Sequence, residues 1–366
     1  MNKRPNRSSN TFSESSAKKQ YSYQVKTPPL GHITQNTMKQ SALLASSFLS
    51  CCFSVSVAAK PLKIGYSDWP GWVAWDIAIE KGWFAEENVE VEFKWMDYVE
   101  SMDEYVAGNL DAVCMTNGDA LVTGATGKPS TCILLNDFSY GNDKVVAAPG
   151  VSSFADLEGQ SVGLEEGFVG HLLFLTGMQE EGVDTDSIKI VNTNTGKIAD
   201  VLRTGVVQAV AGWQPNSGAA LKAVEGSTEI FSSADVPGII FDGLFVDRKN
   251  LQENRREWQK VAKVWYRIVE FMKDDTKQDE VLQILSKRVG LSTSEYAELL
   301  EGTYILSLEQ AQRCWTKRSS ISSIYGSSDF VDDFNVKFKV YEDKQNIDSY
   351  FDPSITEVVA DQLSSN

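Results

Sequence analysis

Carboxylates and tryptophans recur in four short stretches of this 366-residue chain. They are Ser67-Asp68-Trp69-Pro70-Gly71-Trp72, Thr116-Asn117-Gly118-Asp119, Glu165-Glu166-Gly167-Phe168 and Gly212-Trp213-Gln214-Pro215-Asn216. An indole face attracts positive charge through its ring quadrupole, and a carboxylate accepts the paired N–H donors of a planar cation. None of the four stretches holds a Lys or an Arg, the residues an anion receptor aims at its ligand. The chemistry they suit is capture of a small cation. Candidate binding residues are Asp68, Trp69, Trp72, Asn117, Asp119, Glu165, Glu166, Trp213 and Gln214, joined by Asp97 and Asp242, with Trp213 foremost. Structural roles compete with these. Asp68 and Asp119 each precede a helical run and could be N-caps. Glu165-Glu166 could form a solvated turn, and one of Trp72 and Trp75, three apart on a helix face, belongs to the core.

The commoner catalytic signatures are missing. Only His32 and His171 occur, so a Ser-His-Asp triad could use only His171 and a multi-histidine zinc site cannot be built. No phosphate-cradling Gly-rich loop ending in Lys-Ser/Thr and no dinucleotide fingerprint after a strand is present. Neither a cofactor nor a metal is expected, and no enzymatic activity.

Residues 1–37 are polar, mildly basic and without apolar periodicity, and read as a disordered leader or as sequence upstream of a true start at Met38. Residues 38–59 read as a secretory signal: Met38-Lys39-Gln40, an apolar run from Ala42 to Val57, and small residues before a cleavage point after Ala59. The run is shorter than the roughly 20 apolar residues of a membrane span. Phe48-Leu49-Ser50 before Cys51 is a poor lipid-attachment signal, so a cleaved, exported chain is expected. Cleavage removes seven Lys/Arg and one Asp/Glu, taking the net charge from −16 to −22. Such a surface repels nucleic acid and anionic lipid. Of the remaining cysteines, Cys114 and Cys132 sit in apolar strand-like runs, as a disulfide or as buried thiols, and Cys314 stands apart.

From Lys60 onward, short apolar strands alternate with amphipathic helices, the pattern of an α/β fold with a mostly parallel sheet. Strands are expected at 62–66, 89–95, 112–115, 131–135, 161–164, 188–191, 209–212 and within 238–246. Helices are expected at 73–84, 102–107, 119–126, 168–181, 199–204 and 216–223. After Asn250, Trp258, Val261, Val264, Trp265, Ile268, Val269 and Met272 repeat at helical spacing, as core.

Ile64-Gly65-Tyr66, Glu80-Lys81-Gly82-Trp83-Phe84, Val89-Glu90-Val91-Glu92, Gly108-Asn109-Leu110-Asp111-Ala112, Asp156-Leu157-Glu158-Gly159, Leu202-Arg203-Thr204-Gly205 and Trp213-Gln214-Pro215 follow one another in an order and spacing that resemble the nitrate/sulfonate/taurine type of periplasmic solute-binding proteins. The chain also resembles the branch of that family associated with urea or guanidine carboxylase pathways. The resemblance implies a two-lobed type II periplasmic-binding-protein fold: lobe 1 from residues 60–147 plus 240–366, lobe 2 from 148–239, and crossovers near 145–150 and 233–243. It implies a monomer in the periplasm that hands a small molecule to an ABC permease and, indirectly, its ATPase. In such sheets ligands bind at the carboxyl ends of strands, where the four stretches fall. Asp97-Tyr98 and Asp137-Phe138-Ser139-Tyr140 follow further strands, and Asp242 lies on a returning one. A guanidinium-like or urea-like ligand suits these side chains best. The alternatives are nitrate, taurine or an alkanesulfonate, or a thiamine-precursor pyrimidine. The fold's resemblance to thiamine-pyrimidine synthases is not matched by an active-site histidine and a cysteine-rich motif.

Overall fold

The structure, a computed structural model, describes residues 60–364, so the leader, the export signal, Cys51 and Cys52 lie outside the described residues. In chain order the first part comprises β1 (Leu62–Tyr66), α1 (Pro70–Val73), α2 (Trp75–Lys81), α3 (Trp83–Glu86), β2 (Val91–Trp95), α4 (Tyr98–Val106), β3 (Ala112–Thr116), α5 (Asn117–Ala125) and β4 (Ser130–Ser139). The middle comprises β5 (Lys144–Ala147), β6 (Ser161–Leu164), α6 (Val169–Glu180), β7 (Lys189–Asn192), α7 (Ile198–Thr204), β8 (Ala209–Gly212), α8 (Asn216–Ala223) and β9 (Thr228–Ser232). The last part comprises β10 (Phe241–Asp247), α9 (Arg248–Glu253), α10 (Arg255–Lys273), α11 (Gln278–Val289), α12 (Thr293–Glu301), β11 (Thr303–Ile305), α13 (Leu308–Trp315), α14 (Ile324–Lys337) and α15 (Ser354–Ser364).

Two sheets result, ordered β11-β4-β10-β3-β1-β2 and β7-β6-β8-β5-β9. The runs AVCMT in β3 and AVAG in β8 are buried throughout, as expected of strands with packed layers on both faces. Only β1, β2 and β3 in the first sheet, and β6, β7 and β8 in the second, pair in parallel. The sheets are therefore mixed rather than mainly parallel. The reason is the path of the chain: β4 and β10 pair antiparallel at the point where it leaves and re-enters the first sheet, and β5 enters the second between β8 and β9. Lys144–Ala147 thus belongs to the second sheet, and the first crossover lies at 140–143 rather than at 145–150. The second spans 233–240.

Other departures have local causes. The helix expected at 73–84 is three pieces, broken at Ala74 and at Gly82, whose φ of 69° places it in the left-handed region glycine tolerates. Both members of the Trp72/Trp75 pair are buried, Trp75 fully, with its ring 4.7 Å from that of Trp265. Helix α10 buries Trp258, Val261, Val264, Trp265, Ile268 and Val269 as its spacing predicts, whereas Met272 is only half-buried against the core. Cys114 and Cys132 are free and buried. They occupy β3 and β4, with β10 between them. Two strand spacings of about 4.8 Å exceed the reach of a disulfide.

One glycine is set by close approach. A Cβ on Gly71 would lie 2.0 Å from Oδ2 of Asp137. Gly71→Ala is expected to lower stability by about 1–3 kcal/mol, as overpacking does, read as a drop in Tm by calorimetry.

Candidate functional site

The carboxyl ends of β1, β3, β6 and β8 meet between the two sheets, and their loops bring carboxylates and rings together. Asp68, at the end of β1, is not a helix cap. Its Oδ1 accepts from Trp213 Nε1 at 3.2 Å and its Oδ2 from Asn216 Nδ2 at 2.8 Å, both beyond the end of β8. These bonds tie the first-sheet half to the second-sheet half. Trp213 is buried, and its ring stands edge-on to Tyr98 with centroids 5.1 Å apart. Tyr98 stacks on Trp72 at 5.2 Å, and Trp72 in turn meets Trp69 at 6.3 Å. Four rings thus form a continuous wall.

Asp119 stands behind it. Thr116, not Asp119, caps α5, because the Asp119 N–H donates to the Thr116 side chain and leaves the carboxylate to accept from Tyr98 Oη at 2.7 Å. Tyr98 also accepts from the Thr116 N–H, so its ring is held from both sides. Glu165 is buried rather than solvated: Oε1 accepts from the Thr195 N–H at 2.9 Å, and Oε2 has no donor. Asp242 and Asp137 face each other on β10 and β4, and Trp69 Nε1 donates to Asp137 Oδ1 at 2.9 Å.

Two small cavities open onto this cluster. One, of about 80 Å³, is lined by Ser67, Asp68, Asp97, Tyr98, Glu165, Thr195, Trp213 and Asn216 among others. The other, of about 10 Å³, lies among Trp69, Trp72, Tyr98, Asp143, Trp213 and Asp242. Neither is lined by Lys, Arg, His or Cys. At about 10–15 Å³ of such cavity volume for one water, the larger holds several waters and the smaller one at most. A wider depression of about 810 Å³ shares no residue with them. Its one cation, Arg288, is engaged with Tyr66 and Asp76.

Burial sets the electrostatics. Desolvation pushes Asp119, Asp137, Asp143 and Glu165 up to about 7 and raises Asp68 and Asp242 as well. A carboxylate out of water pays in charge solvation, and neighbouring carboxylates add to the rise. A positive charge placed among them would reverse it. His171, buried on α6, is pushed down to about 4, and its Nδ1 accepts from the Gly167 N–H.

Of the residues singled out by sequence, Asp68, Trp69, Trp72, Asp97, Glu165, Trp213 and Asp242 line the two cavities. Asn117, Asp119, Glu166 and Gln214 do not, Asp119 standing behind the wall on Tyr98. Asn117 donates to Ser327 and Ser328 and accepts from the Phe241 N–H, bracing α14 against β10. Glu166 points to solvent. Gln214 accepts from the Gly218 N–H within the first turn of α8. Asp143 and Thr195 carried weaker signals. Asp143 lies in a crossover expected further along the chain, and Thr195 in a polar loop after the edge strand β7.

Comparison with known proteins agrees with this architecture. A protein of Brucella abortus described as a candidate binding protein is 27% identical over 220 residues, 58% of this chain and 68% of its own length. The periplasmic aliphatic sulphonate binding protein SsuA from Escherichia coli superposes with a TM-score of 0.64 at 17% identity, covering 80% of this chain and 97% of SsuA. The periplasmic nitrate-binding protein NrtA from Synechocystis does so with 0.67 at 10%, covering 84% and 90%. The fold is not confined to binding proteins, since the desulfurization enzyme DSZB shares it with a TM-score of 0.59 at 12% identity over 83% of this chain and 100% of its own. Among the described residues no helix is long and apolar enough to cross a membrane. The model of the NMT1/THI5-like family matches residues 72–278, from the aromatic wall through the loops of both sheets, and the chain belongs to that family.

Proposed function

We propose that this chain is the solute-binding subunit of an ABC importer, and that it closes two lobes over a small nitrogen-rich cation, with guanidinium the concrete candidate. The observation that carries the ligand class is the lining of the cleft. Four aromatic rings and the carboxylates of Asp68, Asp143, Glu165 and Asp242 surround it, and no basic side chain does. A planar cation stacks on indole and gives its N–H groups to carboxylates, whereas a nitrate or sulfonate would meet like charge and no basic side chain. The larger cavity, with room for several waters, accommodates a small ligand such as guanidinium or methylguanidine. Binding rather than catalysis is favoured because neither cavity is lined by histidine or cysteine.

The lobes of this reading are residues 60–139 with 241–364, and 144–232, the crossovers acting as the hinge. Asp68 latches them shut through Trp213 and Asn216. The protein acts as an exported monomer in the periplasm and delivers its ligand to a permease driven by an ATPase.

A thermal-shift screen of the chain from Lys60 tests the reading against guanidinium, methylguanidine, urea, choline, taurine and nitrate at low millimolar concentration. A ligand at 100 times its Kd stabilises the folded state by about 2.7 kcal/mol, enough to raise Tm by several degrees. Guanidinium or methylguanidine is expected to do so. Stabilisation by taurine or nitrate alone would sink the cation assignment.

A further inference from the structure

Asp137 and Asp242 are opposed across the antiparallel strands β4 and β10, and both are buried. Side chains directly opposed across antiparallel strands have Cβ atoms about 4.5–5.5 Å apart, which leaves two carboxyl groups on one face within reach of each other. One oxygen of each, Asp137 Oδ2 and Asp242 Oδ2, finds no donor elsewhere in the protein. Ionised carboxylates only accept hydrogen bonds, so two of them in contact repel unless a proton lies between.

The surroundings supply no counter-charge. From the loop after β1 comes Trp69, which donates to Asp137, and from α1 comes Gly71, whose backbone packs against it. Thr116 of β3 lies opposite Asp242 on its other side. The charged groups that act on the pair are Asp143 of the first crossover, on both members, and Asp119 of α5, on Asp242. Tyr296 of α12 also feels Asp137, but its hydroxyl is committed to the Pro70 carbonyl. No Lys, Arg or His stands among the groups that act on the pair. Asp242 at the same time lines the aromatic pocket with Trp69, Trp72 and Trp213.

We propose that Asp137 and Asp242 share one proton in the unliganded cleft, and that a cation taken up at the adjoining aromatic pocket, which at about 10 Å³ must widen as the lobes part to admit it, displaces that proton to solvent. The exchange balances: one O–H bond of the pair is broken, one proton leaves, one monovalent cation takes its place, and no electron moves. The pair thus makes capture a one-for-one exchange of cation for proton. A neutral ligand of the same shape, such as urea, cannot drive the exchange, which makes the pair a charge filter. The displacement half of this proposal rests on the cation reading above, whereas the shared proton does not.

The two halves are tested separately. In the free protein at pH 8, an infrared difference spectrum of wild type against Asp242→Asn is expected to show the C=O stretch of a protonated carboxylic acid in wild type only. At that pH Asp119, Asp143 and Glu165, which titrate near 7, are mostly ionised. The asparagine amide can donate to Asp137 in the variant and leaves it ionised. Circular dichroism checks that the isosteric variant is folded. Absence of the band in wild type overturns the shared proton whatever the ligand is. Calorimetric titration with guanidinium chloride at pH 8, in two buffers of different ionisation enthalpy, then counts protons. Wild type is expected to release about one proton more per ligand than Asp242→Asn. Equal release by the two overturns the displacement. Failure of guanidinium, methylguanidine and choline to bind, with the band present, overturns the cation reading and the displacement together and leaves the shared proton standing.

Discussion

Trp213→Ala is expected to weaken guanidinium binding by roughly 100-fold to 4,000-fold, measured by calorimetric titration. The residue has two roles that the substitution removes together. Its ring walls both cavities, and a cation desolvated against indole is worth about 2 kcal/mol. Its Nε1 also donates to Asp68 across the two lobes, and a hydrogen bond to a charged group contributes about 1.5–3 kcal/mol. The two sum to roughly 3–5 kcal/mol, with about 1.4 kcal/mol for each tenfold change. Trp213→Phe separates the roles. It keeps an aromatic face and loses the donor, so a loss of about 10-fold to 100-fold is expected. An unchanged Kd in Trp213→Ala would remove the cleft as the site of binding.

The second large effect is on stability. The unliganded protein is expected to melt at a lower temperature at pH 8 than at pH 5, the reverse of ordinary acid denaturation. Asp119, Asp137, Asp143 and Glu165 titrate near 7 when folded, and near 4 when unfolded. Between those values the folded chain holds more protons than the unfolded one, so stability falls as pH rises. Each such proton is worth roughly 1.4 kcal/mol per pH unit across the window. His171 opposes this. Its folded value near 4 lies below its unfolded value of about 6.5, so it contributes stability that is lost as pH falls through that range. One histidine against four carboxylates leaves the slope negative from about pH 5 to 7. Below about pH 4 the sign turns, because Asp352, held low chiefly by its hydrogen bonds from Arg255 and Ser354 against a desolvation penalty, loses them on protonation. The carboxylates of Asp156, Asp274 and Glu295, exposed but hydrogen-bonded to nearby Ser or Thr groups, act in the same direction. Guanidinium should restore Tm more at pH 8 than at pH 5, since it binds the ionised cleft. Scanning calorimetry at several pH values, with and without ligand, checks both signs. A Tm that rises steadily from pH 5 to 8 without ligand would mean that these carboxylates are not buried as described.

Much of the lining of the two cavities could be read from residue type alone. Asp68, Trp69, Trp72, Glu165, Trp213 and Asp242 each follow or occupy a strand whose apolar run marks it, and strand carboxyl ends are where loops of such sheets converge. What failed has a common cause. Asn117 and Gln214 sit at the same strand ends as the side chains that line the cavities, yet their amides are taken up by Ser327, Ser328 and the Gly218 N–H. A side chain's partner over 200 residues away, as for Asn117, leaves no local trace. Asp143 was hidden differently, because which sheet a short strand such as Lys144–Ala147 joins depends on pairing with β8 and β9, not on its own pattern.

The amino-acid sequence by itself determined the α/β alternation, the acidic balance, the aromatic and carboxylate content of the binding loops and the scarcity of histidine, because these depend on composition and on periods of two and 3.6 residues. Tertiary structure alone decided which carboxylates lose their water and which face one another. Asp68 and Trp213 are 145 residues apart and Asp137 and Asp242 more than 100, so their contacts arise only when the chain crosses twice between its sheets. Charge in this cleft is a property of that closure: the same six carboxylates in an unfolded chain would be hydrated and independent, and only burial beside one another raises them together.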